Sequence, residues 1–283
     1  MKGLITLFLL TLTFIFTNAQ ELHLKKRKQN AQGGKEFALS ISDSTLSLMD
    51  REKIILKEIK KGNVPNFLRK LVKIEVSWIA DEKTKPNHIY YYVLPDYFAI
   101  GSNEDFFYVP MTPILAQKVA NLTKCSLPTK LLVDQIYKEA KIKLVPQPIP
   151  PTKAMTTLAV FIAHTDSILR QLKPLLPNHQ LGALTAGNKK DIIISNKIYG
   201  EATARVVIYG WHKLDGKAIQ PVYNKHINTW TDYSHGVRLI QNKIYINQKK
   251  ASLKKALRDA EFSRVFSDEG IIDKAYYPVF KSY

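Results

Sequence analysis

A single cysteine, Cys125, stands in a chain of 283 residues whose first 19 read as an export signal. Lys2 supplies positive charge, Leu4 to Phe16 form a mostly apolar run, and Thr17-Asn18-Ala19 places small residues where a signal peptidase cuts. An exported chain with one thiol forms no intramolecular disulfide, so its fold must rest on packing. The chain from Gln20 onward is long enough for a full core in one or two domains. The apolar run is shorter than the roughly 20 residues of a spanning helix. No later stretch offers about 18 consecutive apolar residues. The expectation is therefore a soluble exported protein, periplasmic or extracellular, with no transmembrane segment after signal cleavage.

Forty-two Lys and Arg against 24 Asp and Glu give a net charge of +18, a field that attracts anionic envelope polymers, lipid headgroups or nucleic acid. The densest run, Lys25 to Lys28, precedes Gly33-Gly34. Residues 20–43 read as a disordered basic arm. No RNA-binding signature or zinc-finger spacing is present, so sequence-specific nucleic-acid recognition is not expected.

Residues 44–145 carry helix and hairpin patterns. Ser44 to Arg69 has apolar residues at helical spacing, Leu71 to Ile79 and His88 to Leu94 alternate as two strands of a hairpin, and Thr112-Pro113 starts a helix. Val133, Ile136, Tyr137 and Ala140 mark the apolar face of a further helix beginning near Ser126 to Pro128. After a proline-rich linker, 152–283 holds a helix over Thr152 to Leu172, then short strands at Asp191 to Ile194 and Arg205 to Tyr209. A hairpin over Val237 to Ile246 and a closing helix from Ser252 follow. The order points to an α+β fold: an antiparallel sheet in the C-terminal half packed against helices from the middle of the chain, forming one compact domain with 44–145.

Chemistry concentrates between Arg205 and Arg238, a stretch that gathers three of the seven histidines, two of the three tryptophans and two aspartates. His235, at the start of a strand beside Gly236, is the favoured base; capping of its strand is the alternative. Cys125 precedes a helix whose N-terminus would stabilise a thiolate, or it is a buried small hydrophobe. Trp211, His212 and Asp232 are candidates for binding substrate. Arg238 suits a substrate carboxylate or an ordinary salt bridge. A zinc site from His212, His226, His235 and Asp191 or Asp232 is chemically allowed, although the spacing gives no helical or strand pair of histidines.

Cys125-Ser126 before Leu131 to Ala140, together with Ser234-His235-Gly236-Val237-Arg238-Leu239-Ile240 and Ile244 to Asn247, resembles the papain-like cell-wall peptidases of the NlpC type. Lys124 and Leu127 stand where that family has Asp and Gly. The resemblance implies an envelope hydrolase with Cys125 as nucleophile and His235 as base, needing no cofactor and cutting amide bonds of peptidoglycan stem peptides. A metal-dependent hydrolase and a non-catalytic envelope-binding module are the alternatives.

Overall fold

The computed structural model describes residues 20–79 and 85–279. The expected signal peptide lies outside them, as does the middle of the turn before His88. The chain opens with helices α1 (Gly34–Ser40), α2 (Leu48–Lys61) and α3 (Asn66–Arg69), then strands β1 (Val72–Trp78), β2 (Asn87–Val93), β3 (Ala99–Gly101) and β4 (Phe106–Tyr108). Helix α4 (Pro113–Leu122), β5 (Cys125–Ser126), α5 (Lys130–Glu139), β6 (Ile142–Lys143) and α6 (Leu158–Leu172) occupy the middle. Strands β7 (Thr185–Ala186), β8 (Lys190–Ile192), β9 (Ile208–His212), β10 (Ala218–Tyr223), β11 (His235–Gly236), β12 (Ile240–Gln241), β13 (Lys243–Ile246) and β14 (Lys249–Ser252) follow, before the short α7 (Leu253–Ala256) and α8 (Ser263–Phe266).

Local chemistry explains the helix ends. Ser47 caps α2 by accepting from the Asp50 N–H, and Gly62 closes it with φ of 89°. Thr112 caps α4 with Pro113 at its first position, as the sequence implies. The buried Glu52 of α2 accepts from both the N–H and the hydroxyl of Thr112, docking the two helices. Burial nevertheless pushes the Glu52 carboxyl up to about 7.

The larger sheet is built around β2. On one side it pairs with β1 in the expected hairpin, from Val72 opposite Val93 to Trp78 opposite Asn87. On the other side both β12 and β13 pair with β2, through Ile240 opposite Val93 and Tyr245 opposite Tyr90. The expected hairpin over Val237 to Ile246 is therefore not formed. The two runs are successive stretches beside one partner, offset where the Asn242 N–H donates to the Lys124 carbonyl. The hairpin of this region is β13 with β14, turned by Asn247 and Gln248 with φ of 49° and 68°.

The smaller sheet, ordered β10-β9-β8-β11, lies in the C-terminal half and packs against α5 from the middle of the chain. Its pairs are antiparallel except for β8 with β11, which run parallel. The fold is α+β. Among the described residues no helix is long and apolar enough to cross a membrane.

The basic arm is a correction. Residues 20–43 are built into the fold, with Leu22, Phe37, Ala38 and Ile41 in the core. Arg27 is held by Asn63 and by the carbonyls of Ala31 and Gln32. Its lysines only cover a segment that contributes four buried apolar side chains, and that burial overrides the disorder-like composition. Phe37→Ala should lower unfolding free energy by about 3–5 kcal/mol in a denaturant titration. An unchanged midpoint would mean that the arm is not part of the core.

Candidate active site

Strand β8 divides the functional side chains. Successive residues of a strand point to opposite faces, so Lys190 and Asp191 diverge. Parallel β11 sets His235 beside Lys190 and Gly236 beside Asp191, while β9 sets Tyr209 beside Asp191. His235 thus shares a face with Lys190.

Alternation along β9 breaks at Gly210 and Trp211, whose φ values are 107° and 60°. A bulky aromatic residue in the left-handed region is strained, typically by about 1–3 kcal/mol. The break puts Tyr209 and His212 on one face. There the Tyr209 hydroxyl donates to Asp134 Oδ1 at 2.7 Å, and His212 Nε2 lies 3.1 Å from the same oxygen. Tyr137 stacks on His212 with centroids 4.4 Å apart. Trp211 goes to the opposite face, its ring centroid 4.9 Å from Lys190 Nζ and its edge against Tyr233.

On the Lys190 face, the Ser234 N–H and hydroxyl both donate to Asp232 Oδ1, at 2.8 and 2.6 Å. His235 Nε2 stands 3.9 Å from Asp232 Oδ2. Burial favours a protonated Asp232, but His235, the Ser234 bonds and Lys190 outweigh it and hold the carboxyl at about 2. Burial drives His235 down to about 4 against the pull of Asp232. At neutral pH an ionised carboxylate therefore sits beside an uncharged imidazole. His235 has 0% exposure, and neither ring nitrogen has a hydrogen-bond partner among the described residues. Buried polar groups are nearly always bonded. The Trp211 and Trp230 indole nitrogens and the Thr231 hydroxyl are likewise unpartnered. His226 stacks on Trp230 with centroids 4.8 Å apart, and both are half-buried.

Lys189 pins this loop to α6. Its fully buried Nζ donates to the Tyr233 carbonyl at 2.6 Å and lies 3.1 Å from His164 Nδ1. Burial brings Lys189 down to about 7, and burial with the nearby Lys189 charge brings His164 down to about 2. Gly236 is required by close approach: a Cβ there would lie 2.5 Å from Tyr97 Cδ1 and 2.7 Å from Lys189 Cβ.

Several expectations change. Cys125 does not open a helix. Lys124 takes φ of 58°, ending the run of α4, and Cys125 enters β5 opposite Gln241. Thr129 caps α5, which begins at Lys130. The Cys125 sulfur is buried against the Thr123 carbonyl, and burial pushes the thiol up to about 12. It belongs to the larger sheet and His235 to the smaller one. Arg238 is buried rather than open to a substrate carboxylate, donating to the Leu94 and Thr185 carbonyls. The zinc set is divided by the β9 break. His212 and Asp191 belong to the Asp134 face, and His226, His235 and Asp232 to the other. Among the described residues no group of three or more His, Cys, Asp or Glu side chains is placed to hold a metal.

His235, Asp232 and Trp211 do come together, joined by Lys190, His226 and Trp230. The sequence pattern did not mark Lys190, Lys189, His164 or Asp134. The two lysines read as ordinary charges before a strand, and only their partners across the fold distinguish them.

The chain matches no family model, no curated protein and no solved structure. None of these comparisons bears on the resemblance to NlpC-type peptidases.

In the native protein Cys125 should resist iodoacetamide at pH 8 and react only after unfolding in guanidinium. Rapid native labelling with a midpoint below the free-thiol value of about 8.5 would contradict its place in the core.

Proposed function

We propose that this chain is an exported amide-bond hydrolase of the bacterial envelope, acting on peptidoglycan stem peptides, with His235 as base and Asp232 as its orienting carboxylate. The observation that carries the reading is the buried Asp232–His235 pair, an ionised carboxylate 3.9 Å from an unpartnered imidazole held neutral. Perturbed, incompletely bonded titratable groups beside backbone strain are the physical marks of a reaction site. The net charge of +18 suits an anionic wall.

On this reading Nε2 carries its proton towards Asp232, and Nδ1 accepts a proton from water. The water oxygen attacks the amide carbonyl, and the Lys190 ammonium stabilises the resulting oxyanion. The imidazolium, held by Asp232, then gives its proton to the leaving amine as the C–N bond breaks. Cys125 takes no part.

The complete burial of His235 favours a second reading, a non-catalytic envelope-binding module. Purified sacculi separate the two, with newly released amino groups assayed alongside retention of the protein. Turnover should fall by about 100-fold or more in His235→Ala and Asp232→Asn, with folding verified by circular dichroism, and stay unchanged in Cys125→Ala. Because the base works unprotonated, kcat/KM should rise with pH through a midpoint near 4 and then level off. Tight retention without amine release would select the binding module. Loss of turnover in Cys125→Ala alone would restore the thiol mechanism.

A further inference from the structure

A second site lies away from His235, in a cleft of about 540 Å³ where four separate segments converge. They are the start of α3, the turn between β3 and β4, the stretch after α5, and the 178–183 turn between α6 and β7. The volume falls within the roughly 300–1,000 Å³ of small-ligand sites.

The lining has a definite chemistry. Its walls carry the carboxamides of Asn66, Asn103, Asn178 and Gln180. Cationic or titratable nitrogen comes from Lys70, Lys141 and His179. Leu181 adds apolar surface, while the Phe67 ring is buried against Phe106, with centroids 5.1 Å apart. Among the described residues no carboxylate lines the cleft. Asn103 Oδ1 accepts from the Phe67 N–H, which orients its amide at the cleft. Gly182, with φ of 97°, brings the 178–183 turn close against Phe67: a Cβ there would lie 3.4 Å from Phe67 Cβ.

We propose that this cleft binds an acidic oligosaccharide. Carboxamides both donate and accept, as paired sugar hydroxyls require. Leu181 offers apolar surface to the C–H face of a pyranose ring. Two lysines with no opposing carboxylate select a ligand carrying carboxylate or phosphate groups. The site is independent of the hydrolytic reading, since it shares no residue with the Asp232–His235 face.

Calorimetry on the mature full-length protein at physiological ionic strength tests it. The probes are hexagalacturonate, a phosphorylated mannose oligosaccharide, neutral chitohexaose and a short oligothymidylate. The first two distinguish carboxylate from phosphate as the anionic group. Binding of at least one of them should weaken at least about tenfold, or 1.4 kcal/mol, in the Lys70→Glu/Lys141→Glu double variant. It should be unchanged in Lys57→Glu/Lys249→Glu, which alters net charge equally at exposed positions elsewhere. Chitohexaose should bind more weakly than the acidic probe. Equal losses in both double variants, equal binding of oligothymidylate, or no binding of either acidic glycan would overturn the proposal. Amine release from sacculi by the Lys70→Glu/Lys141→Glu protein reports separately on the hydrolytic reading.

Discussion

Arg238 stands in the link from β11 to β12, between the two larger sheets, and carries its charge where water does not reach. Its guanidinium donates to Leu94, just after β2, and to Thr185 in β7, and lies 4.3 Å from the Tyr97 ring centroid. Two carboxylates answer it. The Tyr97 hydroxyl donates to Asp191 at 2.7 Å, and the Tyr108 hydroxyl donates to Asp96 at 2.6 Å. Burial raises both carboxyls to about 6, against the pull of Arg238 and these hydrogen bonds, so both are largely ionised at neutral pH. Removing one partner from such a set typically costs about 3–5 kcal/mol, because the others remain buried without it. Strand β8 is held by this network on its Asp191 face, and that anchorage fixes where Lys190 and His235 emerge on the other.

The strained Gly210–Trp211 step completes the division. An unbroken β9 would send Tyr209 and Trp211 to one face and His212 to the other. The break instead gives His212 to Asp134 and Trp211 to Lys190. One cluster bonds its two rings to Asp134: burial opposes ionisation of that carboxyl, but bonds from His212, Tyr209 and Lys130 hold it low, although Asp191 Oδ1 on the same face has no hydrogen-bond partner. The other keeps unpartnered nitrogen at His235, Trp211 and Trp230. That asymmetry favours His235 over His212 as the place for chemistry.

Features set by neighbouring residues were legible in the sequence. The Thr112-Pro113 helix start, the β1–β2 hairpin and the α+β class all follow from local patterns that the fold preserves. Features decided by distant partners were not. Gln241-Asn242-Lys243 has the composition of a hairpin loop, yet β2, far earlier in the chain, takes both flanking runs. Residues 20–43 look solvated because four core side chains are spaced among lysines and glycines. Cys125 precedes an apolar helix, but the left-handed Lys124 and the cap at Thr129 place it in a strand. The histidine-rich stretch already held Asp232, His235 and Trp211, and the fold brings the three to one face. Lys189 and His164 joined them only through contacts between residues well separated in the chain.

The account depends on the protonation state of His235, which nitrogen-15 NMR of the imidazole reads directly as pH is varied. It predicts a neutral ring with the proton on Nε2, titrating near pH 4, with a still lower midpoint in Asp232→Asn, where the carboxylate no longer favours the charged ring. A ring that is positively charged at pH 6, or one unaffected by Asp232→Asn, would contradict it.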